Sequence, residues 1–296
     1  MKRFLLPVSV VGCLAAISFS SAQAQLVVSS SSGLYRYSME GALEHTYISI
    51  IGNWQGVAFD SATLNVYVAT ATENGGIFQF GYNGTSVEKQ VQSPAYASSE
   101  SKMNLGLAFN QGLVIGNYYF ADLGLTQTGS FDPHDIEDAV PRPNCYLNSI
   151  GMVAGITASS EEGTYYLTDT SAGQIIKLTG LTFGSVVSSV VATGLGSGIR
   201  GLALNSDETA LLVADSSGNK VVSVDLSSGV ATDFITSGVE GVVDVLITET
   251  ALFVSTGTGV DQYKPDGTLV TDNLIALPDA RYLTTAAKSR GSEGTP

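Results

Sequence analysis

Any chemistry in this chain has to be done with carboxylates, amides and guanidinium groups. Its 296 residues include only two histidines, His45 and His134, and two cysteines, Cys13 and Cys145, too little material for a zinc site or a histidine-based triad. No Gly-x-Ser-x-Gly elbow occurs. The polar residues with a reason to converge are Gln55, Arg200 and Glu240. Each stands immediately before a glycine that opens a short apolar run, and Leu105 and Ala154 hold the same place in two further runs. If those runs surround a common axis, Arg200 and Glu240 are neighbours. They then form either a partly buried ion pair or the polar arc of a small-ligand pocket whose other wall is apolar. Trp54, the single tryptophan, precedes Gln55, and its indole either packs between sheets or edges the same mouth.

A second cluster is acidic. Asp132, His134, Asp135, Glu137 and Asp138 lie in a proline-rich stretch from Gly129 to Asn148. Long irregular excursions on a rigid scaffold carry binding surfaces, which makes this a candidate partner loop. Asp132-Pro133 with Asp135 also fits the cap, first-turn proline and acidic first turn of a short helix. Asp169 and Asp215 end apolar runs, where an aspartate closes a turn on its own backbone or reaches toward the same mouth.

The elements that must position these residues repeat. Gly56-Val-Ala-Phe59, Gly106-Leu-Ala-Phe109, Gly155-Ile-Thr-Ala158, Gly201-Leu-Ala-Leu204 and Gly241-Val-Val-Asp244 open five units spaced by 50, 49, 46 and 40 residues, the period of four-stranded propeller blades. In the fourth unit Leu202–Leu204, Leu211–Ala214 and Val221–Val224 read as successive strands. Ser217-Gly218-Asn219 is the hairpin turn between the last two, and Ser228-Gly229 leads into a fourth strand. Two orphans remain. Leu26–Ser29, Leu34–Tyr37 and Glu44–Ile50 form a unit lacking its first strand, while Arg281–Ala287 is a strand lacking followers, with Ala280 at the sixth mouth position in poor register. Pairing the two predicts an all-β, six-bladed β-propeller closed by N-terminal and C-terminal strands in one composite blade, with seven blades as the alternative.

The line from Gly201 to Asp225, and a second from Gly155 to Leu178 containing Tyr165-Tyr-Leu-Thr-Asp169, resemble the repeats of NHL-type and SMP-30/gluconolactonase-like six-bladed propellers. The lactonase branch of that resemblance implies one divalent cation, Ca2+ or Zn2+, held by a Glu, an Asn and an Asp facing the channel. Leu105 and Ala154 stand where oxygen donors would be wanted and Arg200 puts a cation there. The reading taken is therefore a binding or scaffold module for a small ligand or a protein partner, without cofactor. The alternative is a hydrolase or lyase acting on a small lactone or ester in the channel.

Lys2 and Arg3, the apolar run Phe4–Phe19 and Ala22-Gln23-Ala24 read as a signal peptide over residues 1–24, with cleavage before Gln25 and export to the periplasm or medium. Val10-Val11-Gly12-Cys13 offers a lipid anchor through Cys13 as the alternative. The propeller then spans residues 25–287, and Lys288–Pro296 is a polar tail expected to be disordered. Removing Lys2 and Arg3 takes the basic side chains from 13 to 11 against 27 acidic ones, and the formal charge from −14 to −16. Such a surface repels nucleic acid. Cys145 is left without a disulfide partner and reads as an inert packing thiol, and no further stretch is long enough to span a membrane. A monomer is expected.

Overall fold

The computed structural model describes residues 24–50, 52–70, 77–84, 89–92, 102–110, 113–120, 125–131, 145–147, 150–180 and 186–286. They contain strands and turns and no helix. The predicted signal segment up to residue 23, Cys13 included, and the predicted tail from Lys288 lie outside the described residues.

The strands pair into antiparallel four-stranded sheets, all in sequence order except the one that joins the two ends of the propeller. β1 (Gln25–Ser30), β2 (Gly33–Ser38) and β3 (Leu43–Ile48) begin the chain; β4 (Trp54–Asp60), β5 (Asn65–Thr70), β6 (Ile77–Gly81) and β7 (Lys89–Gln92) follow. β8 (Lys102–Asn110), β9 (Leu113–Phe120), β10 (Leu125–Phe131) and β11 (Cys145–Leu147) come next, then β12 (Val153–Ala158), β13 (Tyr165–Asp169), β14 (Gln174–Thr179) and β15 (Val187–Ala192). Two further sheets are β16 (Ile199–Leu204), β17 (Ala210–Asp215), β18 (Lys220–Asp225) and β19 (Ala231–Ile235), and β20 (Asp244–Ile247), β21 (Leu252–Ser255), β22 (Val260–Tyr263) and β23 (Leu269–Ile275). The last strand, β24 (Ala280–Ala286), returns to the first sheet, where Gln25 pairs with Ala286 and Val28 with Leu283. Among the described residues this makes six four-stranded sheets. Their first strands touch in the cyclic order β24, β4, β8, β12, β16, β20 and back to β24. The architecture is a β-propeller.

The core lies between sheets. Ile175, Ile199, Leu211 and Val222 pack one sheet on the next, and Leu26, Phe253, Val260 and Leu283 do so elsewhere. Inner and middle strands are covered on both faces, which is why Leu211-Leu212-Val213-Ala214 is continuously apolar and not alternating. The fourth strands β3, β15, β19 and β23 face outward and are largely exposed. Turn chemistry follows the sequence: Asn219 adopts φ 48° between β17 and β18, a conformation that asparagine tolerates better than most residues.

Two expectations are corrected. Residues Gly129–Phe131 and Cys145–Leu147, read as part of one irregular stretch, belong to β10 and β11: the first three pair with β9 and the last three with Thr126–Thr128 of β10. The strand predicted to open at Gly241 begins instead at Asp244, because Gly241 is used at φ 67° in the turn that precedes it.

Candidate functional site

Each of β4, β8, β12 and β16 carries a bulge at the dipeptide that ends in the opening glycine: Gln55-Gly56, Leu105-Gly106, Ala154-Gly155 and Arg200-Gly201. A bulge leaves residues unpaired and re-aims their side chains. β24 has the same irregularity against β1, at Arg281-Tyr282. Arg281 is thus the sixth member of the set, not Ala280, which is buried.

The glycines are required by close approach. A Cβ on Gly155 would stand 2.5 Å from the Arg200 carbonyl oxygen, one on Gly106 3.0 Å from the Ile156 nitrogen, and one on Gly201 would collide with the Asp244 carboxylate. Asp244 and Tyr282 occupy this layer on the remaining two inner strands. The Tyr282 hydroxyl donates to the Ala154 carbonyl at 2.6 Å, on a strand three places around the cyclic order, so the phenol crosses the channel. Beyond it, a cavity of about 250 Å³ is lined by residues that follow the layer, among them Val57, Leu107, Ile156, Leu202 and Val245.

Burial pushes the Asp244 carboxyl up to about 8, although the backbone N–H groups of Leu283 and Val245 pull the other way. The Leu283 N–H lies 2.9 Å from its Oδ2. Tyr282 is raised by burial and by Asp244, and lowered by Arg200 and Arg281.

Hydroxyls of second strands latch the bulges to the neighbouring sheet. Thr168 Oγ1 accepts from Gly155 N at 2.7 Å and donates to the Arg200 carbonyl at 2.7 Å. Ser255 Oγ accepts from Asp244 N at 2.8 Å and donates to the Arg281 carbonyl. Both arginine backbones are therefore held by the same device, two places apart in the cyclic order.

The predicted mouth residues are only partly brought together. Gln55 is half-buried and its Nε2 donates to Asn53 Oδ1 at 2.6 Å. Asn53 also accepts from Arg281 Nη1, which reaches the Trp54 carbonyl at 3.2 Å, while Arg281 Nη2 donates to Asp279 at 3.1 Å. Trp54 is 6% exposed, stacks edge-on to Phe78 and donates to the Ile50 carbonyl at 3.0 Å, so its indole is a packing group. Arg200 Nη1 donates to the carbonyls of Ile199 and Ser197 at 3.3 and 3.5 Å. Glu240 is exposed in the turn before β20 and forms no ion pair with Arg200 among the described residues. The physical reason is the shift of the fifth opening to Asp244, which puts Val243 where Glu240 was expected. Sequence reasoning missed Arg281, Asp244 and Tyr282 because the glycine signature is absent from those two strands.

Asp169 and Asp215 close turns, accepting from Ser171 N at 3.0 Å and from Gly218 N at 3.0 Å. His45 packs edge-on against Tyr47. Among the described residues no three His, Cys, Asp or Glu side chains cluster to hold a metal ion. Asp132, His134, Asp135, Glu137 and Asp138 lie outside the described residues, as does any short helix there, and the side chain of Leu105 is not described.

No protein-family model matches the chain, and no curated protein does. Among solved structures it is similar to a chain in the crystal structure of a nidogen/laminin complex, with a TM-score of 0.69 and 13% identity over 89% of this chain and 98% of that one. It is also similar to a protein of unknown function from Bacteroides caccae, with a TM-score of 0.63 and 11% identity over 90% of this chain and 99% of that one. At such identities the likeness is one of fold.

Proposed function

We propose that the chain is a six-bladed propeller acting as a binding module, with a protein partner seated at the channel mouth beside Gln55, Arg200 and Arg281. The six sheets, the cyclic order of their inner strands and the pairing of β24 with β1 support the blade count. The repeat line from Gly201 to Asp225 supports an NHL-type ancestry. The observation that carries the binding role is the Tyr282 phenol laid across the channel to Ala154. It turns a passage into a floored rim, and polar side chains held by bulges and latches stand around that rim. The nidogen/laminin structure is a complex of proteins, which supports a macromolecular partner here. Lactone hydrolysis would need oxygen ligands converging on a cation, whereas Ala154 has no donor to offer and Glu240 stands in a turn.

The test is partner capture from the native source with immobilised wild-type chain, Arg200→Ala, and Lys220→Ala as a control on the third strand of the same sheet, where Lys220 meets Asp233. Melting curves establish that all three are folded. A protein retained by wild type and Lys220→Ala and lost from Arg200→Ala is the expected result. Equal retention by all three baits would remove the mouth from the reading.

A further inference from the structure

We propose that the channel mouth is a carboxylate-binding site, with Arg200 as the arm that grips the ligand, Arg281 as the fixed second charge and the Tyr282 ring as the floor. The inference rests on the binding role proposed above and names what that site takes.

The chain has 27 acidic and 13 basic side chains, so two arginines at one channel mouth run against its composition. Arg281 precedes Tyr282 in β24, and the Arg200 carbonyl oxygen would lie 2.5 Å from a Cβ on Gly155, the residue after the Ala154 that accepts from the phenol, so both arginine backbones flank the ring that spans the channel. Their surroundings differ. Arg281 has an 18% exposed side chain and is clamped by Asn53, the Trp54 carbonyl and Asp279. Arg200 is half-buried and, among the described residues, bonded only to two carbonyls of its own segment, at 3.3 and 3.5 Å. A guanidinium offers five donors in a planar fork, and the described residues engage only its Nη1. No carboxylate pairs with Arg200 among the described residues.

Charge and shape select the ligand class. Asp244, the buried carboxyl of the layer, keeps its proton at neutral pH and does not neutralise the arginines. Asp279 is spent on Arg281. The fork of Arg200 suits a carboxylate, which accepts two parallel N–H bonds. The latches from Thr168 and Ser255 fix both arginine backbones before any ligand arrives, which limits the ordering cost of binding.

Trp54 gives the readout. It is the only tryptophan, and its carbonyl accepts from Arg281. Sodium propionate, its neutral isostere propionamide, inorganic phosphate and an acetylated Glu-Glu-Gly amide peptide are titrated against the full chain, followed by Trp54 emission and by calorimetry. Saturable binding of propionate, with no binding of propionamide and weaker binding of phosphate, is expected. Arg200→Gln should lose about tenfold or more in propionate affinity, the scale of a lost charge-assisted pair, with an unchanged melting temperature. Arg200→Lys should recover part of the loss. A peptide that binds about tenfold tighter than propionate places the carboxylate on a partner protein, and parity places it on a free small acid. Binding of propionamide as tight as propionate, or an Arg200→Gln variant that binds propionate normally, overturns the proposal. If capture is lost in Arg200→Ala while propionate neither binds nor competes, the carboxylate inference fails and the binding role survives; capture that ignores Arg200 removes the binding role itself.

Discussion

Side chains in the channel layer divide a crowded space unequally. Four positions give up their side chains because the next inner strand leaves no room for a Cβ, and the space is filled from the other two, by Asp244 and Tyr282. Burying a carboxyl there has a measurable consequence. The ordinary value for aspartate is 3.8 and the folded value is about 8. Below that window both folded and unfolded chains hold the proton. As pH rises through it, the unfolded chain releases its proton while the folded chain keeps it, so stability falls, by up to about 1.4 kcal/mol per pH unit. Above pH 8 or so the folded carboxyl ionises too and the decline stops. Asp225, held down at about 2 by the hydroxyls of Ser227 and Ser228, titrates below this window. Asp244→Asn retains an acceptor for the Leu283 N–H and has no proton to lose. Urea unfolding between about pH 4 and pH 8 should give a falling curve for wild type and a flatter one for Asp244→Asn. Parallel curves would mean that Asp244 is ionised in the fold.

At the level of strands, the decisive junction is β24 on β1. Deleting residues 281–296 removes Arg281, Tyr282 and nearly all of β24, exposes the edge of β1 and uncovers Leu26 and Val28, which pack against Leu283. Deleting residues 288–296 touches none of these. Differential scanning calorimetry should find the longer truncation strongly destabilised or unfolded and the shorter one near wild type. Equal midpoints would show that β24 contributes nothing. Much at this level was legible in the sequence. Leu26–Ser29, Leu34–Tyr37 and Arg281–Ala287 were placed within a residue or so of β1, β2 and β24, because short apolar runs bounded by turn-forming residues are local signals. The fifth inner strand was misread for a physical reason. Gly241-Val-Val-Asp244 satisfies the glycine-apolar pattern, but its glycine serves a turn, and the layer needs a side chain where the other strands need none. A pattern that rewards glycine cannot find the two positions whose purpose is to fill the space glycine leaves. Arg281 was missed with them, and Glu240 was promoted in place of Val243. The hydroxyls of Thr168 and Ser255, each of which reaches the next sheet in the ring, were the signal available: Ser255 stands directly opposite Asp244, so counting back from it recovers the true opening.

For the molecule as a whole, the acidic surface and the mouth make opposite demands on a cation. Millimolar calcium or zinc should leave the melting temperature where it was, and chelator should change nothing. A cation bound specifically to the fold would instead raise stability by about 2.7 kcal/mol at a hundredfold excess over its dissociation constant. A large chelator-sensitive rise would return the lactonase alternative to first place. The pairing of the two ends also governs when this protein can exist. Gln25 and Ala286 are paired across β1 and β24, yet nearly the whole propeller lies between them along the chain. At about 5–20 residues per second, the ribosome separates their appearance by roughly 13–50 s. Throughout that interval β1 is paired only with β2, and its other edge is open to any passing strand. The propeller therefore has no closed native state to reach until β24 has been made. Its abundance in the cell should be limited by what shields that single edge during synthesis more than by the stability of the finished fold.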